Sequence, residues 1–235
     1  MPYNRGMGIK TFLKPVTDKI TESQGPPTPL IPPNLQGEKI KLELLQNAEK
    51  FAERIGQGLT NLVNEVEAIA KEDPDFITED ELKRIKDISK PETLSEDDLK
   101  DRSIMDILGL DENLIGKFYS ASDHLFAAER FQEASDALFF IANIEPTESI
   151  FWLALGNAEF LQENWTEALK AFSLAYYTNP SDPRAVIYAA QCHHELGDNK
   201  QAAMIIDSVI QYYPEEALVE FGDLKGLKEA LCHAE

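Results

Sequence analysis

The sequence predicts an all-α protein in which a pair of helices recurs along the chain. Three prolines and three alanines each stand at intervals of 34 residues, at Pro146, Pro180, Pro214, Ala134, Ala168 and Ala202. A fixed period of this length is typical of a helical solenoid, because one helix pair cannot bury its apolar face alone and stacks on the next pair. Small alanines suit the crossing of two helices, and each proline ends a second helix.

The middle copy carries almost the whole pattern of the tetratricopeptide repeat. The matching positions are Trp152, Leu155, Gly156, Ala168, Phe172, Ala175 and Pro180. We therefore predict three tetratricopeptide repeats over residues 111–214, with Trp152 and Trp165 used for packing. Their first helices are expected near 112–127, 150–163 and 183–196, and their second helices near 131–144, 165–178 and 199–212. Ser149 and Asp182 are the predicted N-caps, and Pro183 occupies a first helical position.

Residues 1–110 are expected to contain a flexible proline-rich arm and a helical region. In the arm, residues 1–36, the run from Gly25 to Pro33 cannot form a helix and favours polyproline II. In the helical region, residues 37–110, an amphipathic helix is predicted from about Glu38 to Lys71, with a bend or break at Gly56 and Gly58 because glycine disfavours helix. Its apolar stripe comprises Ile40, Leu44, Ala48, Phe51, Ile55, Leu59, Leu62, Val66 and Ile69.

This stripe has two possible uses, which the sequence does not separate. It could form a homodimer or partner surface, or it could fold back on the repeats. Two shorter helices should follow the long one. Thr78 and Glu81 form a capping box for a helix through about Ile88, and Ser95 caps a helix that Gly109 ends. Beyond Pro214, residues 215–235 should form a final helix that covers the end of the stack.

Composition excludes several classes of protein and partner. The formal net charge is −20, with six basic against fifteen acidic residues in 72–114 and seven against nineteen in 115–235. Nucleic acid and anionic membranes would repel such a chain, whereas a basic or amphipathic client would not. No run of 18 apolar residues occurs, so no membrane span is expected, and residues 1–5 lack the apolar core expected of a signal peptide. Two cysteines are too few for a disulfide framework, so a cytoplasmic location is expected.

The concave face of the repeats is the predicted binding site. In this repeat family the second, fifth, ninth, twelfth and thirteenth positions of the first helix line the groove. The candidate peptide-binding residues are Tyr119, Asp123, Phe126, Ile150, Leu153, Asn157, Phe160, Arg184, Ile187, Gln191 and His194. Tyr119, Phe126, Leu153, Phe160 and Ile187 are expected to face open space and anchor an extended peptide. Alternatively, the N-terminal or C-terminal helices could cover the groove.

The repeats resemble the class II chaperones of type III secretion. The resemblance covers residues 105–213 and rests on the stretches 114–120, 151–156 and 182–192. It implies a cytosolic chaperone that holds a translocator or gatekeeper protein before export and dimerises through helices that precede the repeats. The long N-terminal part departs from the usual pattern. The segment Pro29–Pro33 partly mimics the client motif described for this family, so the arm could occupy the groove until a client displaces it.

Two other classes of protein fit the sequence less well. An enzyme or metal site would need a motif that this chain lacks, since Cys192, His193 and His194 point in different directions from one helix; we expect no catalysis, no metal and no cofactor. A heat-shock-protein co-chaperone would need cationic groove residues to bind a carboxylate terminus. Tyr119, Asp123 and Tyr188 stand where such clamps need other side chains. A general tetratricopeptide scaffold is the remaining alternative.

Overall fold

The computed structural model describes residues 48–88 and 104–233, and within these residues all regular structure is helical. The predicted arm, the start of the long helix and the Ser95 cap lie outside this part of the chain. The chain divides into two compact units between Pro146 and Thr147. None of the described helices is long and apolar enough to cross a membrane.

In its described residues the first unit contains five helices, and it includes the first predicted repeat. The helices are α1 Ala48–Glu72, α2 Glu79–Ile88, α3 Ile104–Leu108, α4 Glu112–Ala127 and α5 Phe131–Ile144. The bounds of α4 and α5 are those predicted from the 34-residue period. Asp111 caps α4 by accepting a hydrogen bond from the backbone N–H of Leu114 at 2.9 Å.

Helix α1 is continuous through both glycines, so the helix does not break there. The reason lies in its packing against α4 and α5. A Cβ atom built at Gly58 would lie 2.1 Å from the carbonyl oxygen of Asp136, so the glycine allows α1 to approach α5 closely. A Cβ atom at Gly56 would meet nothing within 4 Å. The favourable packing of the helix outweighs the cost of two glycines, about 1 kcal/mol each.

The centre of the apolar stripe of α1 is buried within the first unit, whereas Ile55 and Ile69 are half-buried. Phe51, Leu59, Leu62 and Val66 are all buried in the part of the molecule where α1 packs on α4 and α5. The structure thus shows the second of the two uses predicted for the stripe, folding back on the first repeat. A homodimer through the N-terminal region stays a prediction.

Polar contacts fix α1 at both ends of this packing. Arg54 donates from Nε to Asp136 Oδ1 at 3.1 Å, and its guanidinium lies 4.3 Å from the centre of the Phe139 ring. Glu65 is only 3% exposed and accepts hydrogen bonds from His124 Nδ1 and Arg130 Nη1, each at 2.6 Å. Because a buried carboxylate is costly unless paired, these bonds specify the position of α1 along the repeat.

The capping box that opens α2 is confirmed. The N–H of Thr78 donates to Glu81 Oε2 at 2.8 Å, and the N–H of Glu81 donates to Thr78 Oγ1 at 3.3 Å. Lys117 Nζ also donates to Glu81 at 2.7 Å, and the hydrogen bonds from Lys117 and Thr78 lower the pKa of Glu81 to about 2. Gly109, with φ of 65°, ends α3 as predicted.

The second unit contains the other two predicted helix pairs. They are α6 Ser149–Leu161 with α7 Trp165–Thr178, and α8 Pro183–Glu195 with α9 Asn199–Tyr212. Helix α8 packs against α6, α7 and α9. The pattern residues have the predicted packing role: Trp152 is buried, and a Cβ atom at Gly156 would lie 2.4 Å from the Phe172 ring.

Of the two N-cap predictions, the one for Asp182 is confirmed and the one for Ser149 is wrong. Asp182 caps α8 by accepting from the N–H of Arg184 at 3.0 Å, and Pro183 follows it at the start of the helix. Ser149 is not an N-cap, because it already belongs to α6 and Glu148 precedes it without a side-chain cap bond.

The C-terminal segment is interrupted, where the sequence predicted one helix. It consists of α10 Glu215–Leu218, a 3₁₀ turn Val219–Phe221 and α11 Leu224–His233. Gly222 separates them with φ of 70° and ψ of −145°, a conformation that L-residues rarely adopt. Helix α11 packs against α9 and buries Leu224 and Leu231, as expected for a helix that covers the last repeat.

Candidate functional site

In the part of the chain that the structure describes, one face of each first helix stays exposed or half-exposed, and it falls at the same repeat positions in all three. The exposed or half-exposed residues recur at i, i+4, i+7 and i+11, which is one stripe along a helix. They are Gly116, Ser120, Asp123 and Ala127 on α4, Ile150, Ala154, Asn157 and Leu161 on α6, and Arg184, Tyr188, Gln191 and Glu195 on α8. In the numbering of the repeat these are positions two, six, nine and thirteen.

Five of the eleven predicted site residues lie on these stripes, namely Asp123, Ile150, Asn157, Arg184 and Gln191. His194 is exposed beside the stripe of α8. Three half-buried aromatic residues lie beside the other two stripes, Tyr119 and Phe126 on α4 and Phe160 on α6. The ring of Phe126 packs edge-on against that of Phe131, with their centres 5.3 Å apart, and the ring centres of Phe160 and Trp165 are 4.6 Å apart. Both rings therefore pack between the two helices of their own repeat.

Leu153 and Ile187 do not face open space, contrary to the prediction. They are 5% and 2% exposed. Ile187 lies on α8, and three neighbouring helices cover all but one narrow stripe of that helix. The same applies to the fifth repeat position on α6, where Leu153 belongs to the buried side. The uncovered position is the sixth, so sequence reasoning missed Ser120, Ala154 and Tyr188 by one residue.

Within the second unit the stripes of α6 and α8 form one surface, because these two helices touch. We call this the α6–α8 face. Its α6 side is mostly apolar: Ile150 is 37% exposed, Leu161 is 50% exposed, and Ala154 lies between them. The Asn157 amide at its centre has no hydrogen-bond partner among the described residues. Such a surface offers contact area for aliphatic side chains and an amide for a peptide backbone.

The α8 side of the face combines an aromatic ring with a neutralised charge. Tyr188 lies 5.4 Å from the ring of Phe172 and 6.5 Å from that of Phe221, so the C-terminal 3₁₀ turn lies against this side of the face and leaves Tyr188 half-buried. Arg184 donates from Nε and Nη2 to the two carboxylate oxygens of Asp182, at 3.0 and 2.6 Å. Burial would raise the pKa of the Asp182 carboxyl, but the bonds and charge of Arg184 lower it below its usual value.

The stripe of α4 belongs to the first unit and is more polar. Ser120 donates to the carbonyl of Gly116 at 3.0 Å, and Asp123 carries the only acidic group at its centre. Partial burial raises the pKa of the Asp123 carboxyl above its usual value. Ala127 and Gly116 leave space on either side of this carboxyl, so a small or cationic group could approach it.

The cysteine and histidines of α8 do not form a reactive site. Cys192 is buried, and burial raises the pKa of its thiol to about 12, so the thiolate nucleophile is absent near neutral pH. His193 is buried with Nδ1 3.8 Å from Asp198 Oδ2, and burial lowers its pKa. His194 instead bonds Asn199 Oδ1 at 2.7 Å. Within the described ranges, no three potential ligands cluster as a metal would require.

Comparison with known proteins finds similarity only at the level of structure. No family model matches the chain, and no curated protein matches it. Among solved structures it is similar to the CopN–Scc3 complex, with 17% identity, a TM-score of 0.46, and coverage of 60% of this chain and 79% of that one.

Two further structures are of SycD, a type III secretion chaperone of Yersinia enterocolitica. The first, of SycD described as a translocator chaperone, has 18% identity, a TM-score of 0.47, and covers 52% of this chain and 86% of that one. The second, of SycD with a peptide of the translocator YopD, has the same identity, score and share of this chain, and covers 95% of that one. The solved structures similar to this chain thus include chaperones of type III secretion, the family that its repeat residues resemble.

Proposed function

We propose that this protein is a chaperone that binds an extended segment of a partner protein on the α6–α8 face. Its client would be a substrate of type III secretion, a translocator or gatekeeper, kept soluble and competent for export in the cytoplasm. The resemblance of residues 105–213 to class II chaperones supports the client class. The protein would act by binding alone, with no catalytic step and no cofactor.

The observation that carries this proposal is the uncovered aliphatic surface of α6. Ile150 and Leu161 are exposed on the same stripe, with Ala154 between them. Exposed aliphatic residues aligned on one face are typical of a surface that another chain covers. An extended peptide could place its own apolar side chains there, while the amides of Asn157 and Gln191 bind its backbone. Ala154 gives the backbone room to approach, which a larger residue would prevent.

A co-chaperone that clamps a carboxylate terminus fits the face less well. Such a clamp needs a cation free to bind the ligand carboxylate. Arg184 is the cation of the α6–α8 face, and both oxygens of Asp182 already hold it. The carboxylates of Asp182 and Glu195 on the same side of the face would also oppose an acidic peptide there.

Single substitutions on the face test the proposal. Peptides tiling the translocator and gatekeeper proteins of the source secretion system are screened against the full chain, and the tightest peptide is titrated by fluorescence anisotropy. Ile150→Glu and Leu161→Glu should each weaken its affinity at least tenfold, since about 1.4 kcal/mol is a factor of ten and burying an unpaired charge costs more.

Leu196→Glu provides the matched control. Leu196 is also an exposed leucine of the second unit, but it lies in the turn after α8 and off the stripe. This variant should bind the peptide as the unmodified protein does, with unchanged helicity in all three variants. Equal affinity of Ile150→Glu and the control would place the site elsewhere. Failure of every peptide to bind would reject the proposed client class.

A further inference from the structure

A second surface of the molecule, formed by α9 and α11, has the properties of a docking groove. A cavity of about 320 Å³ opens between these helices at the end of the second unit. Its apolar lining includes Ala203, Met204 and Leu231, and Met204 is 55% exposed. A long flexible thioether left in solvent at the mouth of an apolar cavity is suited to packing against side chains of varied shape.

Lysine side chains also line this apolar cavity. Lys200 lines the cavity from the first turn of α9, and Lys228 lines it from α11 with an ion pair to Asp207. Lys225 precedes Lys228 by three residues, and Cys232, which also lines the cavity, follows it by four. Because residues at i, i+3 and i+7 share one helix face, Lys225 lies on the groove side of α11.

This concentration of positive charge is unusual for the chain. Residues 147–235 contain five basic and fourteen acidic residues, and three of the five basic residues are these lysines. The other two are paired, Lys170 with Glu167 and Arg184 with Asp182. Among the described residues, Lys200 and Lys225 have no ion-pair partner. Within the described residues of 147–235, the cations without an ion-pair partner therefore lie beside the apolar cavity.

We propose that the α9–α11 groove docks an acidic amphipathic segment of a partner protein. Aliphatic side chains of the segment would fill the space over Ala203, Met204 and Leu231, and its carboxylates would pair with Lys200 and Lys225. Paired carboxylates and aliphatic groups on one ligand face match the arrangement of groups in the groove. This site is separate from the α6–α8 face, and it stands or fails independently of the client proposed there.

The net charge of −20 favours a short segment over an anionic membrane as the occupant. Charges interact over about 8 Å at physiological salt, so a short ligand meets mainly the local lysines. An extended anionic surface would also meet the acidic remainder of the molecule and be repelled.

Ligand binding in the groove can be followed through Cys232, which lines the groove and is the exposed one of the two cysteines. Cys192 is buried with its thiol pKa raised to about 12, so it reacts slowly with thiol reagents. The rate at which N-ethylmaleimide modifies the native full-length chain therefore measures access to the groove. A segment that fills the groove should slow this reaction in a concentration-dependent way, which yields its dissociation constant.

The experiment compares three short synthetic helical peptides. The first carries leucines at i, i+3 and i+7 with glutamate at most other positions, the second replaces the leucines by serine, and the third replaces the glutamates by lysine. The first alone should protect Cys232. Lack of protection by the first peptide at millimolar concentration, or equal protection by the serine peptide, would refute the proposal. Protection by vesicles of anionic lipid but not by this peptide would instead identify a lipid-binding surface.

Charge reversals on the protein test the role of the lysines. In the variant Lys200→Glu/Lys225→Glu, the first peptide should bind roughly tenfold more weakly, as expected for two exposed ion pairs turned into repulsions. The control Lys71→Glu/Lys83→Glu makes the same change of charge at exposed residues of the first unit and should leave binding unchanged. Each rate is compared with that of the same variant without peptide. Equal weakening in both variants would show that only overall charge matters and would overturn the groove as the site.

Discussion

Gly56 and Gly58 lie two residues apart on α1 and meet different surroundings. The position of Gly58 is set by contact, because its missing side chain lets the Asp136 carbonyl and the Phe140 Cβ approach within 3 Å of where a Cβ would stand. Gly56 faces open space. At the scale of one residue, the same amino acid is required at one position and merely tolerated at the other.

Replacing each glycine by alanine should therefore change stability in opposite directions. Gly58→Ala should lower the free energy of unfolding by about 2 kcal/mol or more, because the added methyl group overlaps backbone that cannot move aside. Gly56→Ala should raise it by up to about 1 kcal/mol through helix propensity. Urea unfolding followed by circular dichroism measures both. Two alanine variants of equal stability would contradict the close packing of α1 on α5.

Residue-level prediction of the binding face was limited by packing between helices. The repeat register identified Asn157, Gln191 and Ile150 correctly as uncovered, because those positions follow from the helix period. It placed Leu153 and Ile187 on the open side, although both are buried. Which neighbour covers the side of a helix depends on contacts between helices, which no single helix pattern contains. A charge at Leu153 would therefore disturb the fold of the second unit rather than test binding.

At the scale of the element, the turn between the two helices of each repeat contains a residue with positive φ, which the sequence pattern did not predict. Glu129, Glu163 and Gly197 connect the two helices of each pair, stand 34 residues apart, and have φ of 58°, 61° and 79°. A positive φ suits glycine and is strained for other residues. Only the third repeat has glycine there, so the first two turns each retain strain.

Relieving this strain should stabilise the protein. Glu163→Gly should raise the free energy of unfolding by about 0.5–1 kcal/mol, since the cost of a left-handed L-residue exceeds the entropy cost of glycine. Glu167→Gly is the matched control, an exposed glutamate in regular helix that pairs with Lys170, and it should cost about 1 kcal/mol. Thermal unfolding of the two variants gives the comparison. Destabilisation by both changes would show that the turn holds Glu163 without strain.

The helix bounds themselves were largely predictable, and the exceptions have physical causes. The period of 34 placed both helices of each pair, and the Thr78 capping box placed α2. The continuity of α1 was not predictable, because the partner of Gly58 is 78 residues further along the chain, at Asp136. The break at Gly222 was missed because the leucine spacing continues on both sides of it, and only the backbone dihedral angles reveal the interruption.

At the scale of the whole molecule, charge is the dominant property. The chain has 42 acidic and 22 basic residues, so even complete pairing would leave many carboxylates without a cation. The pairs that do form on the surface, such as Lys86 with Glu67 and Arg84 with Asp111, are partly exposed and each contribute about 0–1 kcal/mol. Repulsion among the remaining carboxylates should therefore outweigh these pairs in the salt dependence of stability.

Added salt should consequently stabilise this protein. Raising sodium chloride from about 10 mM to about 100 mM shortens the Debye length from about 30 Å to about 10 Å, which screens the repulsion between distant carboxylates. The midpoint of thermal unfolding should rise by a few degrees, since about 1 kcal/mol corresponds to roughly 2–4 °C in a chain of this size. Potassium chloride at the same ionic strength should act equally, which separates screening from specific ion binding.

A variant with fewer negative charges tests the cause of this effect. Glu53→Lys/Glu195→Lys changes one exposed residue in each unit and makes the net charge less negative by four. Neither glutamate has an ion-pair partner among the described residues, so the substitutions remove repulsion without breaking a bond. The midpoint of this variant should be higher at low salt and should rise less steeply with added salt, because repulsion grows with net charge. An unchanged salt slope would mean that self-repulsion does not govern stability, and that the paired residues hold each unit together regardless of the acidic excess.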